Sequence, residues 1–220
     1  MDRAGAYTAD RAAALSGVPK STVHYWARKG HLVPSISSER VKLWSYTDLL
    51  ALRTIYWLRQ PKRTTDGHEI PSSTMPAVLR SLKALRALDL ELFENGRPLV
   101  VIDRSGHVLL DPPGLALQTP TGQTVSRDLL DVVAPFKTEE GLRGPDLRSP
   151  RRHLRILPLK LAGSPHVEGT RIETRALAAL ATRGYPADRI ASLYPAVTSE
   201  AIGEALDLER QLASNLRRAA

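Results

Sequence analysis

Residues 17–30 read GVPKSTVHYWARKG. Glycine supplies the left-handed residue that ends a helix, and proline suits the first turn of the next, where its fixed φ fits and its missing N–H would be unpaired. Gly17 and Pro19 therefore punctuate two helices set very close together. Upstream, Thr8 stands before the alanine-rich stretch Ala9 to Leu15 as an N-cap, its hydroxyl accepting from an N–H of the first turn. A tight crossing needs a small residue, and Ala13, four before Gly17, supplies one. Val18, Val23 and Trp26 fall where apolar side chains pack back onto the first helix, which is the helix-turn-helix pattern.

With Val23 and Trp26 inward, helical periodicity turns Lys20, Ser21, His24, Tyr25 and Arg28 to the opposite face. A helix-turn-helix sends its second helix into the DNA major groove, where some side chains reach base edges and others hold phosphates. The alternative is a surface helix of an ordinary α-bundle. After Leu32-Val33-Pro34, the run SISSERVKLWSY alternates enough for a short hairpin, with Arg40 and Lys42 on one side of a strand by the two-residue period. Such a basic hairpin reads as a wing. Thr47-Asp48 then opens TDLLALRTIYWLRQ, whose Leu49, Leu52, Ile55, Tyr56 and Leu58 form an apolar stripe that Pro61 ends.

From YTADRAAALSGVPKSTVHYWARKGHLVP through YTDLLALRTIYWLR the chain resembles the MerR-like winged helix-turn-helix family. It departs at Pro19, where a small polar cap is usual, and at His24, where a basic residue is common.

Charge agrees with a nucleic-acid partner for this region. The 220 residues carry a net charge of +8. Residues 1–63 hold 11 Lys and Arg against 4 acids, or +7, leaving +1 for the other 157. Hydrophobic residues at 42% and charged residues at 25% are ordinary for a folded soluble chain. No apolar run approaches the roughly 20 residues of a membrane span. The opening residues lack the layout of a secretory signal and there is no cysteine, so a cytoplasmic protein without disulfides or thiolate chemistry is expected.

PKRTTDGHEIPSS, residues 61–73, reads as a linker. Beyond it Val78, Leu79, Leu82, Leu85 and Leu88 line one helical face opposite Arg80, Lys83 and Arg86, a face that suits either its own domain or a dimer contact. LVVID and HVLLD are short strand-type runs joined by Arg104-Ser105-Gly106, a hairpin signal; TGQTVSRDLLDVV and HLRILPLKL are candidates for further strands. Asp103, Asp111, Asp128 and Asp131 match no carboxylate cage. The six histidines form no HExxH or paired arrangement, and P-loop, GxGxxG and GxSxG motifs are absent, so neither a metal, a cofactor nor catalysis is expected. LRGPDLRSPRRHLR, residues 142–155, concentrates five arginines, as a phosphate-touching arm or a solvated loop would.

The C-terminal stretch reads as three short helices. Thr174 caps the first, Gly184 stops it, Pro186 starts the second, and Thr198 or Ser199 caps the third, whose Ile202, Ala205, Leu206, Leu208 and Leu212 face a core. Gly163, Pro165, Gly169-Thr170-Arg171-Ile172, Gly184 and Tyr194-Pro195 resemble the helical domain of uncharacterised VapB-type antitoxins marked by a GTRI signature. Together the two resemblances imply an antitoxin paired with a PIN-domain ribonuclease toxin. Between Asp188 and Arg210 five acids face two bases, so that surface would repel DNA and suits a protein contact, either self-association or a toxin. Arg210, Arg217 and Arg218 are the candidate toxin contacts, through pairing with acidic groups; a frayed basic tail is the alternative for the last two.

The expectation is a mainly α chain with a small β-rich middle. It divides into a winged helix-turn-helix at 1–63, a linker helix and β segment at 64–160, and a helical module at 161–220. Its function would be to bind its own promoter as a homodimer on double-stranded DNA and to neutralise a toxin. The rivals are an effector-responsive MerR-like regulator without a toxin and a protein-interaction subunit that no longer reads DNA.

Overall fold

The computed structural model describes residues 5–63, 69–87, 93–94, 97–98, 100–102, 108–110, 130–131, 135–137 and 143–218. The fold is mainly α with short strands, a winged helix-turn-helix at the front and a trihelical module at the back.

Helix α1, Ala9–Ser16, starts where Thr8 Oγ1 accepts from Arg11 N at 3.3 Å and ends at Gly17, whose φ of 71° lets its N–H turn back to Ala13 O. Ala12, Ala13, Ala14 and Leu15 are buried. Helix α2, Lys20–Arg28, follows after the three residues Gly17, Val18 and Pro19, and Val18, Val23 and Trp26 close the corner with at most 3% of their surfaces exposed. Strand Tyr7–Thr8 pairs antiparallel with Leu43–Trp44, which brings the root of the wing beside the start of α1.

Helix α3, Tyr46–Leu58, is buried well beyond the expected stripe. Leu49, Leu52, Ile55, Tyr56 and Leu58 face the core, but Leu50, Ala51, Arg53 and Thr54 are buried too. Residues of the 143–156 segment cover the extra faces. Tyr46 Oη donates to Leu147 O at 2.9 Å, Arg53 Nη1 donates to Pro145 O, and Leu147, Leu154 and Ile156 join the core. The expected arginine-rich arm is therefore a docked structural segment, because its spaced Leu and Ile residues bury apolar surface that solvated arginines alone would not. Arg151 pairs with Asp207 at 2.7 Å and Arg155 with Glu168 at 2.8 Å.

Helix α4, Met75–Ala87, opens with Thr74 Oγ1 accepting from Ala77 N at 3.4 Å, and its Val78 is fully buried. The side chains of Leu82, Leu85 and Leu88 lie outside the described residues. In the middle, Val100–Ile102 pairs antiparallel with both Val108–Leu110 and Leu130–Asp131. The first pairing is the expected hairpin; its turn at 104–106, and Asp103, Asp111 and Asp128, lie outside the described residues. Strand Leu154–Arg155 pairs with His166–Val167 beside the GTRI turn, so only these two residues of HLRILPLKL form a strand.

The GTRI run is a tight turn with a visible physical basis. Gly169 has φ 73°, Thr170 Oγ1 donates to Val167 O at 2.9 Å and accepts from Ile172 N at 3.1 Å, and Val167 N donates to Ile172 O at 3.0 Å. Helix α5, Thr174–Thr182, α6, Ala187–Leu193, and α7, Ser199–Arg218, then pack together. Thr174 is not the cap. It is the first helical residue, buried, its hydroxyl donating to Glu209 Oε1 and lying 3.3 Å from Pro165 O. Thr198 caps α7, its Oγ1 accepting from Ala201 N at 3.2 Å.

Nor is the third helix short: α7 has 20 residues and runs on to α1. There Glu209 accepts both terminal guanidinium nitrogens of Arg11, each at 2.8 Å. Asn215 Nδ2 donates to Ala14 O at 3.0 Å and to Arg143 O at 2.9 Å. Beside these, Tyr7 Oη donates to Gly163 O at 2.8 Å and Ala6 N to Ala162 O at 2.9 Å. The front and back of the chain are thus joined through α1, and the basic tail, for which fraying was the alternative to a toxin contact, is helical through Arg218.

Candidate nucleic-acid interface

Pro19 precedes α2 with φ −53° and ψ 134°, and Val23 N closes the first turn onto Pro19 O at 3.0 Å. No side chain caps the end, so the departure at Pro19 leaves the first N–H groups of α2 pointing outward, the arrangement that suits a phosphate. The inward Val23 and Trp26 leave Lys20, Ser21, Tyr25 and Arg28 exposed, with His24 half-buried between them. Tyr25 keeps 45% of its surface in solvent and meets the His31 ring edge-on at a centroid distance of 6.3 Å. Lys20 Nζ lies 2.7 Å from Asp10 Oδ1 on α1, an exposed pair that a phosphate can displace.

In the wing, Ser37 and Leu43 exchange backbone hydrogen bonds at 3.2 and 2.9 Å, and residues 38–42 form the loop between them. Arg40 and Lys42 thus sit on a loop, not on one side of a strand. The Ser-Ser-Glu-Arg run lacks the apolar alternation that would extend the ladder. Arg40 is exposed. Lys42 curls back, its Nζ 3.4 Å from Ser38 O and 3.3 Å from Glu39 O, and steadies the loop.

Sequence reading missed the group that fixes the wing. Asp48 Oδ2 accepts from Ser35 N at 2.8 Å, Ser35 Oγ at 2.8 Å and Ser45 N at 2.9 Å, while Ser45 Oγ accepts from Asp48 N at 3.1 Å. The reciprocal Ser45–Asp48 pair is a capping box, so Ser45 caps α3, which opens at Tyr46, one residue before Thr47. The Ser-x-x-Asp spacing at 45–48 was the available signal; Ser35, ten residues earlier, gave none. Asp48 is a positioning residue that ties both ends of the wing to α3.

Among the described residues, two cations of the head are engaged within the protein. Arg53 is fully buried against Pro145 O, and Arg11 is committed to Glu209. Burial alone would raise the Glu209 pKa, but the Arg11 guanidinium, with help from the Thr174 hydroxyl, holds it below the usual carboxylate range. Asp207 is lowered as well, first by its hydrogen bond from Arg151. Burial pushes the Tyr46 phenol up to about 12 and raises Tyr7 further.

Acids of α7 pair with basic groups of the same chain, while Glu200 and Asp207 keep 79% and 55% of their side chains in solvent. Glu209 meets Arg11, Asp207 meets Arg151, and Glu204 accepts from His153 N at 2.8 Å with His153 Nδ1 3.1 Å from its other oxygen. Glu200 lies 3.8 Å from His153 Nε2. Of the candidate toxin contacts, Arg210 is exposed and 3.5 Å from Asp207, Arg217 is exposed, and the Arg218 side chain is outside the described residues. Among the described residues no group of three or more His, Asp and Glu is placed to hold a metal, and no helix is long and apolar enough to cross a membrane.

Residues 7–67 match the family model described as MerR HTH family regulatory protein, and residues 155–207 match the model described as a protein of unknown function, DUF433. No curated protein and no solved structure matches the chain.

Proposed function

Since the chain carries a MerR-family helix-turn-helix domain at its N-terminus and a DUF433 domain at its C-terminus, we propose that it is a DNA-binding antitoxin of a toxin–antitoxin pair. It acts in the cytoplasm without catalysis of its own. Lys20, Ser21, His24, Tyr25 and Arg28 enter the major groove, and Arg40 contacts phosphate from the wing loop that Lys42 steadies. One short helix and a small wing read few base pairs, so a homodimer on two half-sites provides the affinity of a repressor.

The observation that carries this reading is the position of the joint. The C-terminal module engages α1 through Arg11 and Ala14 and leaves the outward face of α2 exposed, so DNA and a second partner can be held at once. For a PIN-domain ribonuclease the α5–α6 corner offers an apolar and basic surface. Tyr185 and Leu193 are 41% and 47% exposed there, beside exposed Arg183 and Arg189. Arg217, exposed near the end of α7, is a separate candidate contact.

Two measurements test the proposal. Replacing Lys20 and Arg28 by Ala should abolish operator retention in a gel shift while leaving co-purification with the product of the adjacent reading frame intact. Equal DNA affinity in that variant would sink the DNA assignment, and an adjacent product that is no nuclease and does not co-purify would sink the antitoxin assignment. A pure interaction subunit would show no DNA binding with the linear fall of log K against log[salt] that phosphate contacts impose. A second reading, an effector-responsive regulator without a toxin, is favoured by one feature: a cleft of about 460 Å³ lies at the joint.

A further inference from the structure

The cleft at the joint is walled by the start of α1, the 161–164 turn, the start of α5 and one face of α7. Its volume lies in the range that accepts a small organic molecule, and a contact between two modules is where such sites concentrate. One wall is apolar: Ala14, Leu212, Ala213 and Leu216. The opposite wall contains Leu161 and Ala162, both left-handed at φ 52° and 50°, followed by Gly163 at 77°. Non-glycine residues held there store backbone strain, which persists only where surrounding contacts enforce it and which concentrates at ligand sites. Here the enforcing contacts are those of Ala6 and Tyr7 to this turn.

The charges of the lining do not cancel. Three acids, Asp10, Glu173 and Glu209, stand against two bases, Arg11 and Arg175. Arg11 pairs with Glu209 and Arg175 with Glu173, both within the lining. Asp10 is left over. Its partner, Lys20, is not part of the lining, and the pair is loosely held, with 55% of the Asp10 and 47% of the Lys20 side chain in solvent.

We propose that this cleft binds a small organic cation, an ammonium group carried on an apolar body, and that Asp10 reads the charge. The apolar body lies against Leu212, Ala213 and Leu216. The ammonium takes the Asp10 carboxylate that Lys20 holds at 2.7 Å. Lys20, displaced from Asp10, is then released at the first residue of α2 to meet a DNA phosphate, so the ligand raises DNA affinity, and by linkage DNA raises ligand affinity by the same factor. This coupling rests on the reading of α2 as the DNA-contacting helix; the binding of the cation does not.

The test uses three probes with one apolar body: tryptamine, indole-3-propionate and uncharged 3-ethylindole, titrated calorimetrically into the full-length protein. Tryptamine should bind at least ten-fold more tightly than either relative, Asp10→Asn should remove that preference, and Ala213→Phe, folded by circular dichroism, should weaken all three by filling the cleft. Absence of tryptamine binding, or a preference unchanged in D10N, overturns the site. In a second arm, saturating tryptamine should raise operator affinity several-fold in the native protein and leave Lys20→Ala unchanged. Tryptamine bound with no change in operator affinity overturns the coupling. A protein that binds tryptamine but no DNA at all overturns the proposed function and leaves the cleft assignment standing.

Discussion

On the outward face of α2, Lys20, Ser21, Tyr25 and Arg28 stand in solvent, and Lys20 alone among them has an ion-pair partner. On α1, by contrast, Arg11 is bound through both terminal nitrogens to Glu209, with 19% and 14% of the two side chains exposed. A cation in water interacts with its neighbour by about 1 kcal/mol and readily exchanges that neighbour for a phosphate, whereas a cation paired in a dry contact has already exchanged its hydration for one carboxylate. The same residue type is therefore open to a partner in one place and a bolt in the other, and accessibility separates the two.

The comparison breaks most visibly at the bolt. Glu209→Gln should lower unfolding stability by about 3–5 kcal/mol in a denaturant titration, because Arg11 is left charged without its carboxylate. The double replacement Arg11→Leu with Glu209→Leu should recover most of that loss; if the double variant is as unstable as the single one, the charge is not what holds the joint. Next in size is Gly163→Ala. A Cβ there would meet Tyr7 Oη at 1.9 Å on a backbone of φ 77°, so about 1–3 kcal/mol should be lost. A change within error would mean that the turn yields easily.

Acid loosens the back of the molecule through a buried histidine. His166 is buried, its Nε2 has no hydrogen-bond partner, and burial lowers its pKa from the ordinary 6.5. The unfolded chain therefore binds this proton more readily than the folded one. The stability contributed by neutral His166 is complete above about 6.5 and is lost as pH falls through that value towards the lower folded pKa. Thermal melts between pH 8 and 5 should show the decline, and His166→Gln should flatten it. A native curve as flat as the variant's would place the acid sensitivity elsewhere. The lowered pKa values of Glu209 and Asp207 act in a separate, more acidic window, below the ordinary carboxylate range.

Smallest of all in stability is Arg40→Ala, which should change it by no more than about 0.5 kcal/mol. The same variant should reduce the salt slope of DNA binding by about 0.9. An unchanged slope would remove Arg40 from the interface and leave the wing as a support for α3 alone.

Much of the fold was legible because its signals are local. Gly17, Ala13 and the Val23–Trp26 spacing act within a few residues of one another, as do the GTRI turn and the pairing of 100–102 with 108–110. The capping box Ser45–Asp48 was equally local and lay within reach. The docking of 143–156 on α3 was not, because five arginines in a short run outweigh the buried Leu147, Leu154 and Ile156 in any count of composition.

By itself the sequence determined which segments are helices, where they turn, and which face of α2 points outward, since helical periodicity and the steric demands of Gly and Pro are properties of neighbours. Only the tertiary structure decided which charges remain available. Arg11 meets Glu209 across 198 positions, Asn215 meets Ala14 across 201, and Arg53 meets Pro145 across 92. Desolvation and pairing depend on what is close in space, so net charge could place the partner of the N-terminal domain but could not say which cations would be left to meet it.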